Sequence, residues 1–128
     1  MPNFKPDNYN SVSPYLVVDG AQKTIDFLTT VFNAEQLRTH YHDNGSIMHA
    51  EVRIDDTVIM MADAAPQWPA IPAHLHIYVK DVDETFKRAV KAGAESVQEP
   101  IQKGDQDKRG GFKDAGGTTW WIATQQPS

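Results

Sequence analysis

The sequence predicts an α+β fold, two tandem βαβββ modules whose strands curve around a cleft. Three observations carry this. A strand-like run, Ser13-Pro14-Tyr15-Leu16-Val17-Val18, returns as His74-Leu75-His76-Ile77-Tyr78-Val79. Each run leads into a stretch with helical apolar spacing. Matching words then close both stretches, Asn33-Ala34-Glu35-Gln36-Leu37 and Gly93-Ala94-Glu95-Ser96-Val97. Such a repeat writes one supersecondary unit twice.

In chain order, residues 1–10 read as an N-terminal arm and residues 11–128 as one domain. Within it, about 11–63 form the first module, 64–73 a linker and about 74–125 the second module. The opening strands are rich in aromatic and β-branched residues, which suit a pleated surface. Asp19 with Gln22, and Asp81 with Glu84, have the spacing of capping boxes at the two helix starts. Ile25, Leu28 and Phe32 make one apolar stripe; Val82, Phe86, Ala89 and Val90 make the other. Asn33 and Gly93 suit the left-handed position after a helix. Strands then follow at Glu35–Tyr41, Ile47–Ile54 and Thr57–Ala62, divided by turns at Asp43-Asn44-Gly45 and Asp55-Asp56. In the second module they fall at Ser96–Pro100, Lys108–Lys113 and Thr118–Thr124, the last after Asp114-Ala115-Gly116-Gly117. Pro66, Pro69 and Pro72 favour an extended linker. The polar stretch Gln102–Arg109 reads as a mobile loop and has no phosphate-cradling spacing.

The chain has 128 residues, 40 % hydrophobic and 23 % charged, enough for one modest core. It has no cysteine, which excludes a disulfide scaffold, a thiolate zinc site and a cysteine nucleophile. Twelve Lys+Arg against 17 Asp+Glu give a net charge of −5, so the basic footprint of nucleic-acid binding is absent. No apolar run reaches the about 18 residues that span a bilayer. The opening Met1-Pro2-Asn3-Phe4-Lys5-Pro6 has no apolar secretory stretch. The expectation is a cytoplasmic protein with neither nucleic acid nor membrane as partner.

Strand alternation assigns faces. Pro14, Leu16 and Val18, and likewise Leu75, Ile77 and Val79, turn toward the helices. Ser13, Tyr15 and Val17, and His74, His76 and Tyr78, turn away. Met48, Ala50, Val52 and Ile54 form an apolar face, with His49, Glu51 and Arg53 opposite. Trp120 and Ile122 share one face of the last strand, and Trp120 reads as core under a helix. Trp121, on the other face, reads either as core or as a flat stacking surface. A concave wall mixing His, Glu, Arg, Tyr and Trp is the default small-molecule site. The same groups also suit a satisfied polar network or a dimer interface.

The two βαβββ units, Val17-Val18-Asp19-Gly20-Ala21-Gln22 leading into Ile25-Asp26-Phe27, Met48-His49-Ala50-Glu51-Val52-Arg53-Ile54, His74-Leu75-His76-Ile77-Tyr78-Val79, and Asp107-Lys108-Arg109-Gly110-Gly111-Phe112-Lys113-Asp114 followed by Trp120-Trp121-Ile122-Ala123-Thr124, together resemble the vicinal oxygen chelate superfamily. This is the glyoxalase I, bleomycin-resistance and extradiol-dioxygenase group, and the likeness is to its PhnB-like branch. The resemblance implies the glyoxalase/bleomycin-resistance type of curved sheet. It also implies His, Gln or Glu metal ligands on the first and last strands of each module. The positions that match here are Ser13, Met60, His74 and Trp121. Only His74 is a competent ligand, since zinc or nickel needs about three good donors. His40 with His42, and His49 with Glu51, are other same-face pairs of metal-ligating type.

The function expected first is therefore metal-independent binding of a small organic molecule, aromatic ones included, in the sheet cleft of a homodimer. Its ligand-binding residues would be Ser13, Tyr15, Arg53, Met60, His74, His76, Tyr78 and Trp121. No cofactor is expected on that reading. The alternative is a lyase, isomerase or dioxygenase of the same superfamily with a non-standard Zn, Ni, Mn or Fe site. His74 is the one metal candidate at a matching position, with His76 and Glu51 as the rearranged ligands. Glu51, His49 and His76 are the candidates for acid–base work. The resemblance also implies dimers that often build each site from both chains, which would let His74 of one copy meet Ser13 of the other.

Overall fold

The computed structural model describes residues 4–127. The first three residues of the expected arm, and the last of the expected domain, lie outside them. The elements are β1 (Tyr15–Val18), α1 (Ala21–Phe32), β2 (Glu35–Tyr41), β3 (Ile47–Ile54), β4 (Thr57–Asp63), β5 (Ala73–Tyr78), α2 (Val82–Lys91), β6 (Glu95–Gln102), β7 (Asp107–Lys113) and β8 (Thr118–Gln125). Each module is thus βαβββ, as the repeat predicts. Its strands form a four-stranded mixed sheet, ordered β1-β4-β3-β2 in the first module and β5-β8-β7-β6 in the second. The opening strand runs parallel to the last one, and the remaining pairs are antiparallel. The strands reach further into the second module's loop than expected. The stretch predicted mobile shrinks to the four-residue connection 103–106. The linker is not simply extended either: Ala65 and Trp68 exchange backbone hydrogen bonds of 2.8 and 2.9 Å, closing a tight turn.

The helix starts separate local from tertiary control. Asp81 caps α2, accepting from the Glu84 N–H at 3.1 Å. The Glu84 carboxylate turns to Arg88 instead, so only half of the expected box forms. At α1 the expected Asp19–Gln22 box is absent. Gly20 takes the N-cap position at φ 83°, with no side-chain cap, and Gln22 bonds Asp26. Asp63, at the end of β4, supplies the missing acceptor. Its two oxygens take the Ala21 and Ile47 N–H groups, each at 2.7 Å. One carboxylate therefore ties the positive end of α1 to the start of β3. Asp63→Ala leaves both donors without that acceptor. It is expected to lower stability by about 2 kcal/mol, read by urea denaturation.

At the helix ends, Asn33 (φ 57°) and Gly93 (φ 105°) are left-handed as expected. One face assignment changes. Met48 is exposed and Ile47 buried, because a register shift opposite His40 and Tyr41 inserts an extra residue in β3. Met48 thereby leaves the apolar face shared by Ala50, Val52 and Ile54.

The core is one cluster drawn from both modules. α1 packs on β3 and β4 of its own sheet. Its Phe27 and Phe32 also reach the second sheet, with Phe27 at 5.8 Å from Phe112 and Phe32 at 5.2 Å from Trp120, ring centroid to centroid. Phe86 of α2 meets Phe112 at 6.4 Å. A helix that touches the inner faces of both sheets lies between them. The helices therefore fill the middle, and the uncovered sheet faces point outward on opposite sides. Trp120 is 1 % exposed, and its indole N–H donates to Asp114 at 2.9 Å. Asp114 also accepts from the Gly116 and Thr118 N–H groups at 3.0 Å. No helix among the described residues is long and apolar enough to cross a membrane.

Candidate functional site

Alternation and register together build two outward faces. On the first sheet, Tyr15 and Glu51 lie on either side of Met60, one row across three strands. Glu51 is only 2 % exposed. One of its oxygens accepts from the Tyr9 hydroxyl at 2.5 Å and the other from His49 Nε2 at 2.8 Å. Burial pushes the Glu51 carboxyl up. The hydrogen bonds from Tyr9 and His49, with the nearby charge of Arg38, outweigh that and hold it below the ordinary value. The same bond pushes the Tyr9 phenol up. A depressed carboxyl contributes stability that is fully present above the unfolded-state value, near 4.5, and is lost as pH falls through the folded value. Glu51→Gln is therefore expected to flatten the acid side of the stability curve, read as Tm against pH.

The arm seals this row. The Arg38 and Arg53 guanidinium groups lie 5.4 and 6.0 Å from the Tyr9 ring centre. Arg53 donates to the Asn8 carbonyl at 3.2 Å and pairs with Glu35 at 3.4 Å. Arg53 thus holds the arm and flanks Tyr9. Ser13 is engaged in the same way, its hydroxyl taking a bond from Asn10 at 3.1 Å. Beside the row, Tyr15, Val17, Met48, Ala62 and Trp68 line a mostly apolar cavity of about 540 Å³, to which His42, Asp63 and Gln67 add polar groups. The tight turn of the linker carries Trp68 over it. The Tyr15 hydroxyl meets His49 Nδ1 at 3.2 Å.

On the second sheet, β5 presents His74, His76 and Tyr78, opposite Thr119, Trp121 and Ala123 of β8. The Trp121 indole packs against Gly111: a Cβ there would sit 2.6 Å from the ring. Its N–H donates to His74 Nδ1 at 3.1 Å, and the two rings are 9° from parallel. With Nδ1 accepting, the neutral His74 ring carries its proton on Nε2. His76 Nε2 accepts from Arg109 at 3.2 Å. Burial and the Arg109 charge push His76 below its ordinary value, against the smaller opposing pull of Asp107. Asp107 takes the Tyr78 hydroxyl at 2.7 Å and Arg109 at 2.9 Å, which pushes the Tyr78 phenol up. Gly111→Val is expected to lift Trp121 from the sheet and break its bond to His74. The indole N–H resonance in a nuclear magnetic resonance spectrum checks this.

The structure thus gathers Ser13, Tyr15, His49, Glu51, Arg53 and Met60 on one face, and His74, His76, Tyr78 and Trp121 on the other. Within one chain the two sets do not meet. Sequence reasoning missed Tyr9, Asp107, Arg109 and Gly111 as members of these networks. Period-two alternation back from Trp121's neighbour Gly111 would have reached Arg109 and Asp107. No local signal marks Tyr9.

Comparison with known proteins bears on the family and the fold. The family model described as Glyoxalase/Bleomycin resistance protein/Dioxygenase superfamily matches residues 9–122. The uncharacterized proteins Mb0911c of Mycobacterium bovis and Rv0887c of Mycobacterium tuberculosis are each 33 % identical over 123 residues. Those matches cover 88 % of this chain and 81 % and 72 % of the relatives. Among solved structures, TioX from Micromonospora sp. ML1 superposes with a TM-score of 0.76 at 22 % identity, covering 91 % of this chain and 98 % of TioX. The fosfomycin resistance protein FosX from Listeria monocytogenes, solved with Mn(II) and sulfate, gives 0.71 at 18 % identity, covering 91 % and 90 %. These two share the fold. The residues here do not fit a divalent metal at the matching positions. Ser13 is held by Asn10, Met60 offers a thioether, Trp121 an indole, and His74 Nδ1 is taken by Trp121. Among the described residues no group of three or more His, Asp or Glu converges.

Proposed function

This chain belongs to the glyoxalase/bleomycin resistance protein/dioxygenase superfamily, and on that premise we propose that it binds a small aromatic organic molecule without a metal ion. The site is completed in a homodimer, where the first face of one copy opposes the second face of another. One observation carries the reading: the indole of Trp121 occupies a ligand position, packs against Gly111 and caps Nδ1 of His74, the one imidazole at those positions. A flat ring over a bare sheet is a stacking surface for a planar ligand. The exposed Tyr15, Met48, Trp68 and Tyr78 supply further apolar area on the two faces. The dimer is part of the proposal because the first face has only a partly open cavity and the second a bare stacking surface, and opposing them would bury both.

The test combines metal content, oligomeric state and probe binding. Protein dialysed against Zn²⁺, Ni²⁺, Mn²⁺ and Fe²⁺ is expected to retain only substoichiometric metal by elemental mass spectrometry. Light scattering is expected to give a dimer. The planar aromatic probe 1-anilinonaphthalene-8-sulfonate is expected to quench tryptophan emission. Stoichiometric metal on His74, His76 or Glu51 would instead support a lyase, isomerase or dioxygenase with a non-standard site, and would overturn the metal-free reading.

A further inference from the structure

We infer that Glu51, His49 and Tyr15 form a proton relay that makes the Tyr15 phenol a general base facing the cavity of the first sheet. The order is carboxylate, imidazole, hydroxyl, with separations of 2.8 Å from Glu51 to His49 Nε2 and 3.2 Å from His49 Nδ1 to Tyr15. An ionised carboxylate only accepts hydrogen bonds, so His49 Nε2 carries the proton. In the neutral ring Nδ1 is then the acceptor, and the Tyr15 O–H points at it. That arrangement of base and orienting carboxylate is what activates a hydroxyl for acid–base or nucleophilic work. The two ends of the relay have opposite environments. Glu51 is buried and clamped by Tyr9. Tyr15 is 51 % exposed and lines the cavity with Met48 and Trp68. The second face has no counterpart, since Arg109 caps the acceptor nitrogen of His76.

The step needs no oxidant and no cofactor. A ligand hydroxyl gives its proton to the Tyr15 oxygen as the Tyr15 proton passes to His49 Nδ1. One O–H bond breaks in the ligand, one is exchanged at Tyr15, and an N–H bond forms on an imidazolium held against Glu51. The ligand class is a phenol or enol whose flat apolar body fits between Met48 and Trp68. Tyr15 is the residue that touches the ligand, His49 takes the proton through it, and Glu51 positions His49 and offsets its charge.

The native ligand in this inference rests on the small-molecule reading above, but the test uses none. The full chain is treated with phenylmethanesulfonyl fluoride, and the modified tyrosines are mapped by peptide mass spectrometry. The phenol oxygen forms a bond to sulfur, fluoride leaves, and the phenolic proton goes to His49. Tyr41, at 54 % exposure against 51 % for Tyr15, is the internal reference. Tyr15 is expected to react about tenfold or more faster than Tyr41. His49→Ala is expected to bring the ratio near unity and Glu51→Gln to lower it, while a merely unfolded variant would label all its tyrosines faster. A ratio near unity in the unaltered protein, or one unchanged by His49→Ala, overturns the relay. Failure of labelling leaves the binding proposal standing, and failure of probe binding leaves the labelling result standing.

Discussion

Trp120→Ala is expected to lower stability by about 4 kcal/mol, read as the urea midpoint at constant slope. The indole is among the largest fully buried side chains, and it touches Phe32 across the boundary between modules. Its removal opens a cavity at the point where α1 meets the second sheet. It also strips Asp114 of its indole donor, leaving that buried carboxylate with the Gly116 and Thr118 N–H groups alone. Both terms act in the same direction. Trp120→Phe keeps much of the volume and loses only the hydrogen bond, so its cost is expected to be about half as large. Equal losses for the two variants would show that packing at this boundary contributes little.

Trp121→Ala is expected to do the reverse, with a stability change below about 1 kcal/mol but a loss of affinity for anilinonaphthalene sulfonate of about thirtyfold. The side chain is partly exposed on the outward face, so its truncation opens no cavity in the core. It does bare Gly111 and release His74 Nδ1, removing the flat wall on which the proposed ligand stacks. Fluorescence titration of the variant, excited at the remaining tryptophans, reads the affinity. Unchanged binding would move the ligand site to the cavity beneath Trp68. Neighbours in sequence, one serving the fold and one the site, thus have opposite expected signatures.

The repeat, the helix ends and most strand bounds were legible because they are local. Aromatic and β-branched runs, an Asp81 cap, and Asn33 and Gly93 after the helices all act within a few residues. The start of α1 was not, because its capping carboxylate comes from Asp63, far along the chain. Met48 was misassigned because a bulge shifts the alternation by one, and nothing in the strand's composition announces it. For the site, period-two patterning placed His49, Glu51, His74 and His76 on the faces turned from the helices, and left Trp121 open between core and stacking surface; the indole is partly exposed. The covering of Glu51 by Tyr9 depends on how the arm crosses the sheet. That the two faces point apart depends on a second apolar side of α1. Phe27 signals that side only weakly, lying off the stripe of Ile25, Leu28 and Phe32.

The sharing of α1 between two sheets has a consequence for how the molecule comes apart. A duplicated unit invites the thought that each half is an independent building block, separable at the linker. Here Phe27 and Phe32 of the first half are solvated unless the second half supplies Phe112 and Trp120. Neither fragment carries a finished interior, so the chain should melt in a single cooperative step. Halves produced separately should be poorly soluble alone and regain structure only on mixing. What began as a doubling has become an obligate pair, in which neither member can be edited, swapped or lost without the other.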